Sequence, residues 1–255
     1  MRIDVLLVER GYANSRTQAQ ELIAAGRITV ISAKGREVVR KASQNIEPDE
    51  ILNIEVQFGE EQLFVSRGGL KLNGALAHLK LQIQDFLVMD LGISTGGFTD
   101  CLLQAGAKKV IGIDVGHGQL ADKLKNDERV HLLEGINARQ LPAEVIWHTT
   151  AGQKFDLLVV DVSFISLTLV LAPALAFLRD SGLVLALVKP QFEVGKQGLG
   201  KGGIVKDPGR FAEVKEKIRH FSEQQNLIVR DYFASSIDGS DGNQEFFIFA
   251  QKGHV

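Results

Sequence analysis

Cysteine is almost missing from this chain. Cys101 is the only one in 255 residues, which excludes an intrachain disulfide and fits a reducing compartment. A long apolar run is missing too. The longest uncharged stretch, Val162 to Leu178, spans 17 residues, contains Ser163, Ser166, Thr168 and Pro173, and is closed by Arg179-Asp180. A membrane span needs about 17–25 residues, so a buried strand end followed by a helix accounts for this stretch better. Met1-Arg2-Ile3-Asp4 lacks the apolar run and cleavage site of a signal peptide. The expected location is therefore cytoplasmic, with no membrane partner. The six histidines show no ligand spacing with Cys101, so no metal is expected. Internal repeats and low-complexity tracts are likewise absent.

A net charge of either sign is also lacking. Lys+Arg number 29 and Asp+Glu 31, for a formal charge of −2. A near-neutral total argues against a nucleic-acid partner only if the charge is spread evenly, and it is not. Residues 1–45 carry eight Lys/Arg against four Asp/Glu, and residues 46–61 carry six acids and no base. The remaining 194 residues balance at 21 each. With 45% hydrophobic and 24% charged residues, the composition is that of an ordinary globular protein, and the length allows a large α/β domain with a small companion.

The N-terminal block starts with Ile3, Leu6, Leu7 and Val8 and breaks at Gly11. Ser15 then caps an expected helix from Arg16 to Ala25, with Ala19, Leu22 and Ile23 on its buried face and Gly26 at its stop. Arg27-Ile28-Thr29-Val30 and Ile51 to Val56 alternate like short half-buried strands. This predicts a small α+β domain over residues 1–58, with Arg10, Arg16 and Arg27 placed to meet phosphates, and an acidic connector over 59–65. From Phe64 onward the pattern changes to strands alternating with helices. The expected strands are Phe86–Leu91, Lys109–Val115, Arg129–Leu133, Phe155–Val162, Gly182–Val188, Ile228–Ser235 and Glu245–Gln251. Four of them are near-continuous apolar runs, as for parallel strands covered on both faces. The last two are joined by a loop too short for a helical crossover and should pair antiparallel. The expected architecture is a seven-stranded doubly wound Rossmann-like sheet over 66–255, mostly parallel with one antiparallel strand.

The first of these strands runs into Asp90-Leu91-Gly92-Ile93-Ser94-Thr95-Gly96-Gly97-Phe98. Ligands of such folds bind beyond the carboxyl ends of the strands, where the sheet changes direction. A second acid, Asp114, ends the next strand 24 residues later, where a ribose diol would receive a carboxylate. A dinucleotide fold shows G-x-G-x-x-G, whereas this loop reads G-x-x-x-G-G. That spacing favours a nucleoside cofactor without pyrophosphate, and S-adenosyl-L-methionine fits best. The competing reading is a set of turn glycines, as in any α/β fold. Gly195 to Lys201 has the spacing of a phosphate-binding loop, but Gly202 stands where Ser/Thr is required and no helix clearly opens at Lys201. A flexible glycine loop explains it better, with Lys196, Lys201 and Lys206 free to touch RNA phosphates.

Three further ionisable residues fall on the same rim. Asp161 ends the fourth strand, Lys189 ends the fifth, and Glu245 opens the antiparallel seventh. Lys71 lies at the head of a helix whose buried stripe is Leu72, Ala75, Leu76 and Leu79. A ribose hydroxyl is a poor nucleophile until its proton is removed, and a desolvated lysine beside a second cation could take it, with the carboxylates orienting the lysines. Lys189, with Asp161 beside it, is the candidate base. Taken singly, each residue reads better as one side of a surface ion pair, but for the set of four that reading is weaker, because three lie at strand ends where a ligand must bind. Methylation of base amines usually relies on a D/N-P-P-Y/F tetrad at the fourth strand, and Asp161-Val162-Ser163-Phe164 has no proline. The ribose is therefore the expected target.

At these residues the chain resembles the TlyA family, whose members were named haemolysins and are ribosomal RNA 2′-O-methyltransferases. Ser15 to Ala19 and Leu22 to Ile28 resemble the S-four RNA-binding domain. Val65 to Leu72, Asp90 to Thr99, Asp114 to Leu120, Asn137-Ala138-Arg139, Asp161 to Ser166, Lys189 to Glu193 and Glu245 resemble the FtsJ-type methyltransferases. The resemblance implies a catalytic tetrad of Lys71, Asp161, Lys189 and Glu245. It also implies a cofactor site of Asp90, Gly92, Ser94, Thr95, Gly96, Gly97, Phe98, Asp114 and Asn137, with Arg67 among the RNA contacts. The acceptor implied is a cytidine 2′-OH of ribosomal RNA, met as RNA or as a ribosomal subunit. The chain begins directly at the RNA-binding module, without a basic extension, which resembles the subgroup that modifies only large-subunit RNA. The alternatives are a membrane-lytic protein and an RNA-binding protein that has lost its activity.

Overall fold

The computed structural model describes the chain apart from residues 14, 34, 57–62, 196–197, 206, 240 and 255 and the side chains of 18 and 201. It divides into two units, Met1–Leu63 and Phe64–Val255. At the start of the second unit Phe64 and Val65 pack on its core, and Val65 N–H donates to the Asp100 carboxylate at 2.9 Å. Most of the expected connector lies outside the described residues.

In the first unit, apolar residues at i, i+3 and i+4 make two short helices with one buried face each. Helix α1 (Ile3–Glu9) buries Ile3, Leu6 and Leu7, and α2 (Arg16–Ala24) buries Ala19, Leu22 and Ile23. Gly26 ends α2 with φ +69°, the left-handed conformation that stops a helix and favours glycine. The sheet has three antiparallel strands, β1 (Ile28–Ser32), β2 (Gly35–Val38) and β3 (Ile51–Val56), in the order β2-β1-β3. Strand β2 was not expected. All four of its residues are exposed, so it carries no apolar alternation, and it is held by its ladder to β1. Asp4 is fully buried and accepts from Arg2 Nη2 at 2.9 Å, Gln20 Nε2 at 2.9 Å and Arg16 Nη2 at 3.2 Å.

The second unit runs through α3 (Arg67–Leu79), β4 (Leu87–Leu91), α4 (Gly97–Gln104), β5 (Lys109–Ile113), α5 (Asp122–Lys125) and β6 (Val130–Leu133). It continues with α6 (Ala143–Thr149), β7 (Phe155–Val160), α7 (Leu167–Ala174), β8 (Leu178–Val188), α8 (Pro190–Glu193), α9 (Pro208–Gln224), β9 (Leu227–Ala234) and β10 (Phe246–Lys252). The seven strands lie in the order β6-β5-β4-β7-β8-β10-β9, with β10 antiparallel to both neighbours and the other pairs parallel. Strand β8 begins at Leu178 rather than Gly182, carried through the polar Arg179-Asp180 by a shift in its pairing with β7. The chain winds outward from β4 through β5 to β6 and then returns to β7 on the other side of β4. The crevice of such a fold opens at this switch, past the carboxyl ends of β4 and β7.

Candidate active site

Strand register delivers the expected residues to that crevice. Asp161 follows β7, where its N–H donates to Leu91 C=O at 2.9 Å. Lys189 follows β8. Phe246 pairs with Val188, so one step further out Glu245 stands opposite Lys189. Lys71 lies in the first turns of α3, off the apolar stripe of Leu72, Ala75 and Leu76, and is still only 8% exposed. The four form two ion pairs. Lys71 Nζ meets Glu245 Oε2 at 2.6 Å and Lys189 Nζ meets Asp161 Oδ1 at 2.6 Å. Lys189 Nζ also donates to Ser163 Oγ at 3.0 Å. These lysines are held in the wall of a crevice, so the reading as surface pairs does not describe them.

Three cavities meet at this point. One, of about 520 Å³, is walled by Ile113, Ile136, Val162 and Val170 and by the polar Asp114, Gln119 and Asn137. A second, of about 270 Å³, lies against Ser94, Thr95, Gly97 and Phe98 of the glycine loop and against Arg67, Lys71, Asp161 and Lys189. A third, of about 440 Å³, is lined by Lys71, Lys189 and Glu245 together with Phe164, Gln191, Phe192 and Asp241. Ser163 lines all three. An apolar chamber with a few placed polar groups, opening onto paired lysines and carboxylates, suits a nucleoside on one side and a reacting hydroxyl on the other.

The glycine loop serves both its own turn and the cavity. Gly92, with φ +85°, faces two cavities, and a Cβ there would run into the Asp161 carbonyl oxygen. Gly96, with φ +93°, lines none of the three; a Cβ there would strike Leu124. It makes the turn that starts α4. Asp114 is fixed as an acceptor at the mouth of the larger cavity by Ser94 N–H and Gly116 N–H, both at 2.8 Å. Asn137 lines the same cavity, its Oδ1 accepting Arg139 N–H at 3.0 Å.

Asp90 lies near the end of its strand, as expected. It belongs to β4 itself, is fully buried beneath the loop, and lines none of the three cavities. Its Oδ2 accepts from Thr99 Oγ1 in α4 at 2.7 Å, and its Oδ1 has no partner among the described residues. Burial pushes this carboxyl up to about 7; the Thr99 hydrogen bond opposes the rise, and the charges of Asp161 and Asp114 add to it.

The expected RNA contacts are dispersed. Arg10 donates to Pro48 C=O at 3.1 Å and remains exposed, whereas Arg27 is half-buried. Arg16 donates from Nη2 to the buried Asp4 at 3.2 Å and its side chain stays more than half exposed. Arg67 lines the smallest cavity and reaches Asp238 C=O at 3.4 Å. Lys196, Lys206 and the Lys201 side chain lie outside the described residues. Sequence reasoning assigned no role to Ser163, Gln191 or Asp241. The first two stand two places past Asp161 and Lys189, just beyond strand ends, and that position is the one signal that could have found them.

Comparisons with known proteins agree with this geometry. Residues 64–252 match the FtsJ-like methyltransferase family and residues 1–52 the S4 domain. The chain is 42% identical to the 16S/23S rRNA (cytidine-2′-O)-methyltransferase TlyA of Mycobacterium tuberculosis, over 97% of this chain and 88% of that one. It is 32% identical to the 23S rRNA (cytidine-2′-O)-methyltransferase TlyA of Campylobacter jejuni, over 83% and 81% respectively. A solved structure of a haemolysin-named protein from Streptococcus thermophilus superposes with a TM-score of 0.73 at 36% identity, covering 100% of this chain and 89% of that one. No described helix is long and apolar enough to cross a membrane. With a model matched across the whole catalytic unit and relatives matched across nearly the whole chain, the protein belongs to the FtsJ-like methyltransferases, in the TlyA- and haemolysin-named group that couples this fold to an S4 domain.

Proposed function

We propose that the protein transfers a methyl group from S-adenosyl-L-methionine to the 2′-hydroxyl of a cytidine in ribosomal RNA, with the large-subunit RNA as acceptor. The observation that carries this reading is the pair of lysine–carboxylate contacts at the junction of the cavities, with Ser163 where base-amine methyltransferases carry proline. The cytidine and the large subunit rest on the names of the two relatives, which share them. A ribosomal acceptor places the work in the cytoplasm.

The residues present fit the donor. Asp114, already oriented by two backbone N–H groups, would take a ribose diol, and Ile113, Ile136, Val162 and Val170 would enclose a base. Thr95, Gly97 and Phe98 would border the amino-acid portion. When bound, the donor supplies an electrophilic methyl on a positive sulfonium. The chain supplies alignment and removal of a proton. Asp161 and Ser163 hold Lys189 Nζ in place, and Lys189, as the neutral amine, takes the proton from the ribose O2′ as that oxygen takes the methyl. Glu245 holds Lys71, whose charge favours the oxygen as it becomes nucleophilic.

Mapping ribose methylation on both ribosomal RNAs, from cells with and without the gene, tests this reading. One or more 2′-O-methylcytidines of the large-subunit RNA should disappear with the gene. Unchanged maps overturn the reading, and a lost small-subunit site removes its restriction to the large subunit.

A further inference from the structure

Beside the tetrad lysines, the 440 Å³ cavity holds an amide that the proposed reaction does not use. Gln191, in α8, is 7% exposed and lines this cavity. Its Nε2 donates to Asp241 Oδ2 at 3.2 Å, and its Oε1 has no hydrogen-bond partner among the described residues. Asp241 settles which way the amide faces. Burial opposes its ionisation, but hydrogen bonds from Asn243 and Gln191 prevail and hold it below the ordinary carboxylate range. An ionised carboxylate only accepts, so the NH₂ must face Asp241 and the carbonyl must be the free group. A buried acceptor without a donor is costly and is met when a ligand brings one.

The rest of the chamber suits a nucleobase. Phe164, 91% exposed with φ +64°, and Phe192 stand with ring centroids 5.2 Å apart on its wall. A flat ring beside such residues has its edge left to be read by polar groups. We propose that Gln191 reads the base of the acceptor nucleotide, its fixed Oε1 accepting from an exocyclic amine and rejecting a base that carries a carbonyl there. Cytosine offers the 4-amino donor and uracil the O4 acceptor. Gln191 thus determines specificity, with Asp241 as the positioning residue that prevents the amide from turning. The inference rests on the ribose methylation proposed above and adds the means of choosing the base.

The test uses the full chain and RNA fragments bearing the mapped target as cytidine, as uridine, or as a cytidine analogue without the 4-amino group. Methylation is read as kcat/KM for each fragment. Wild type is expected to favour cytidine over both others by about 10- to 100-fold. Gln191→Leu should bring these ratios within about 3-fold. Asp241→Asn should let the amide turn and raise uridine relative to cytidine by about tenfold or more. Each ratio compares substrates on one protein sample, so loss of folded protein does not distort it. The ratios are read again as competition between fragments for binding, which needs no turnover. Unchanged ratios in both variants overturn the assignment of Gln191 while cytidine methylation stands. Absence of ribose methylation by wild type overturns the underlying reading instead.

Discussion

Lys189 is held from two sides, by Asp161 at 2.6 Å and Ser163 at 3.0 Å, and each removal should cost differently. Lys189→Ala should lower kcat by about 100-fold or more, the low end for losing a general base, measured by single-turnover methylation. A wild-type rate would reject Lys189 as the base. Asp90 gives a prediction about stability. Its ordinary value is 3.8 and burial pushes it up to about 7, so between those values the folded state binds more protons than the unfolded one. Stability should therefore fall as pH rises from about 4 to about 7, by up to about 4 kcal/mol, and then level off. Asp90→Asn should flatten that contribution, as read by denaturant titration at pH 5 and pH 8. The convergence of Asp161, Lys189 and Glu245 on one rim was legible in the sequence because each sits next to a strong apolar strand. The strand position of Asp90 was legible as well, but its full burial beneath the loop was not, because only the fold sets what covers a strand end. Gln191 and Asp241 were not legible as a pair, since 50 positions separate them and only the fold joins them.

At the scale of elements, α7 is short and begins just past the loop that carries Asp161, Ser163 and Phe164. Its start is fixed by a carboxylate from α8. Glu193 accepts from Leu167 N–H and Ser166 Oγ, both at 2.7 Å, and is braced by Lys217 of α9 at 2.7 Å. A negative group at a helix N-terminus is favoured, and here it also clamps the loop. Glu193→Gln should lower stability by roughly 1–3 kcal/mol, measured by urea unfolding. It should also weaken RNA binding more than it slows the methyl-transfer step, because Phe164 and Ser163 lose their anchorage. Elements with an apolar period were found from the sequence to within a few residues. Strand β2 was not, because Gly35-Arg36-Glu37-Val38 is stabilised by backbone pairing on an exposed edge and leaves no pattern to read.

For the molecule as a whole, the informative quantity is where charge lies. The basic excess of residues 1–45 falls on the S4 unit, so RNA affinity should fall linearly with salt on logarithmic axes. Arg10→Ala and Arg27→Ala should each reduce that slope by about 1, read by filter binding across a salt series. Arg16→Ala should reduce the slope in the same way and also lower the melting temperature, because Asp4 loses one of its donors. The order of the sheet carries one more consequence. Strand β10 follows β9 in the chain yet fills the interior slot between β8 and β9, and it brings Glu245 to Lys71. Every wall of the larger cavity comes from residues 92–170, long before that strand. Under the proposed mechanism, a chain interrupted ahead of β10 would keep the segments assigned to the methyl donor but lack the carboxylate that pairs with Lys71.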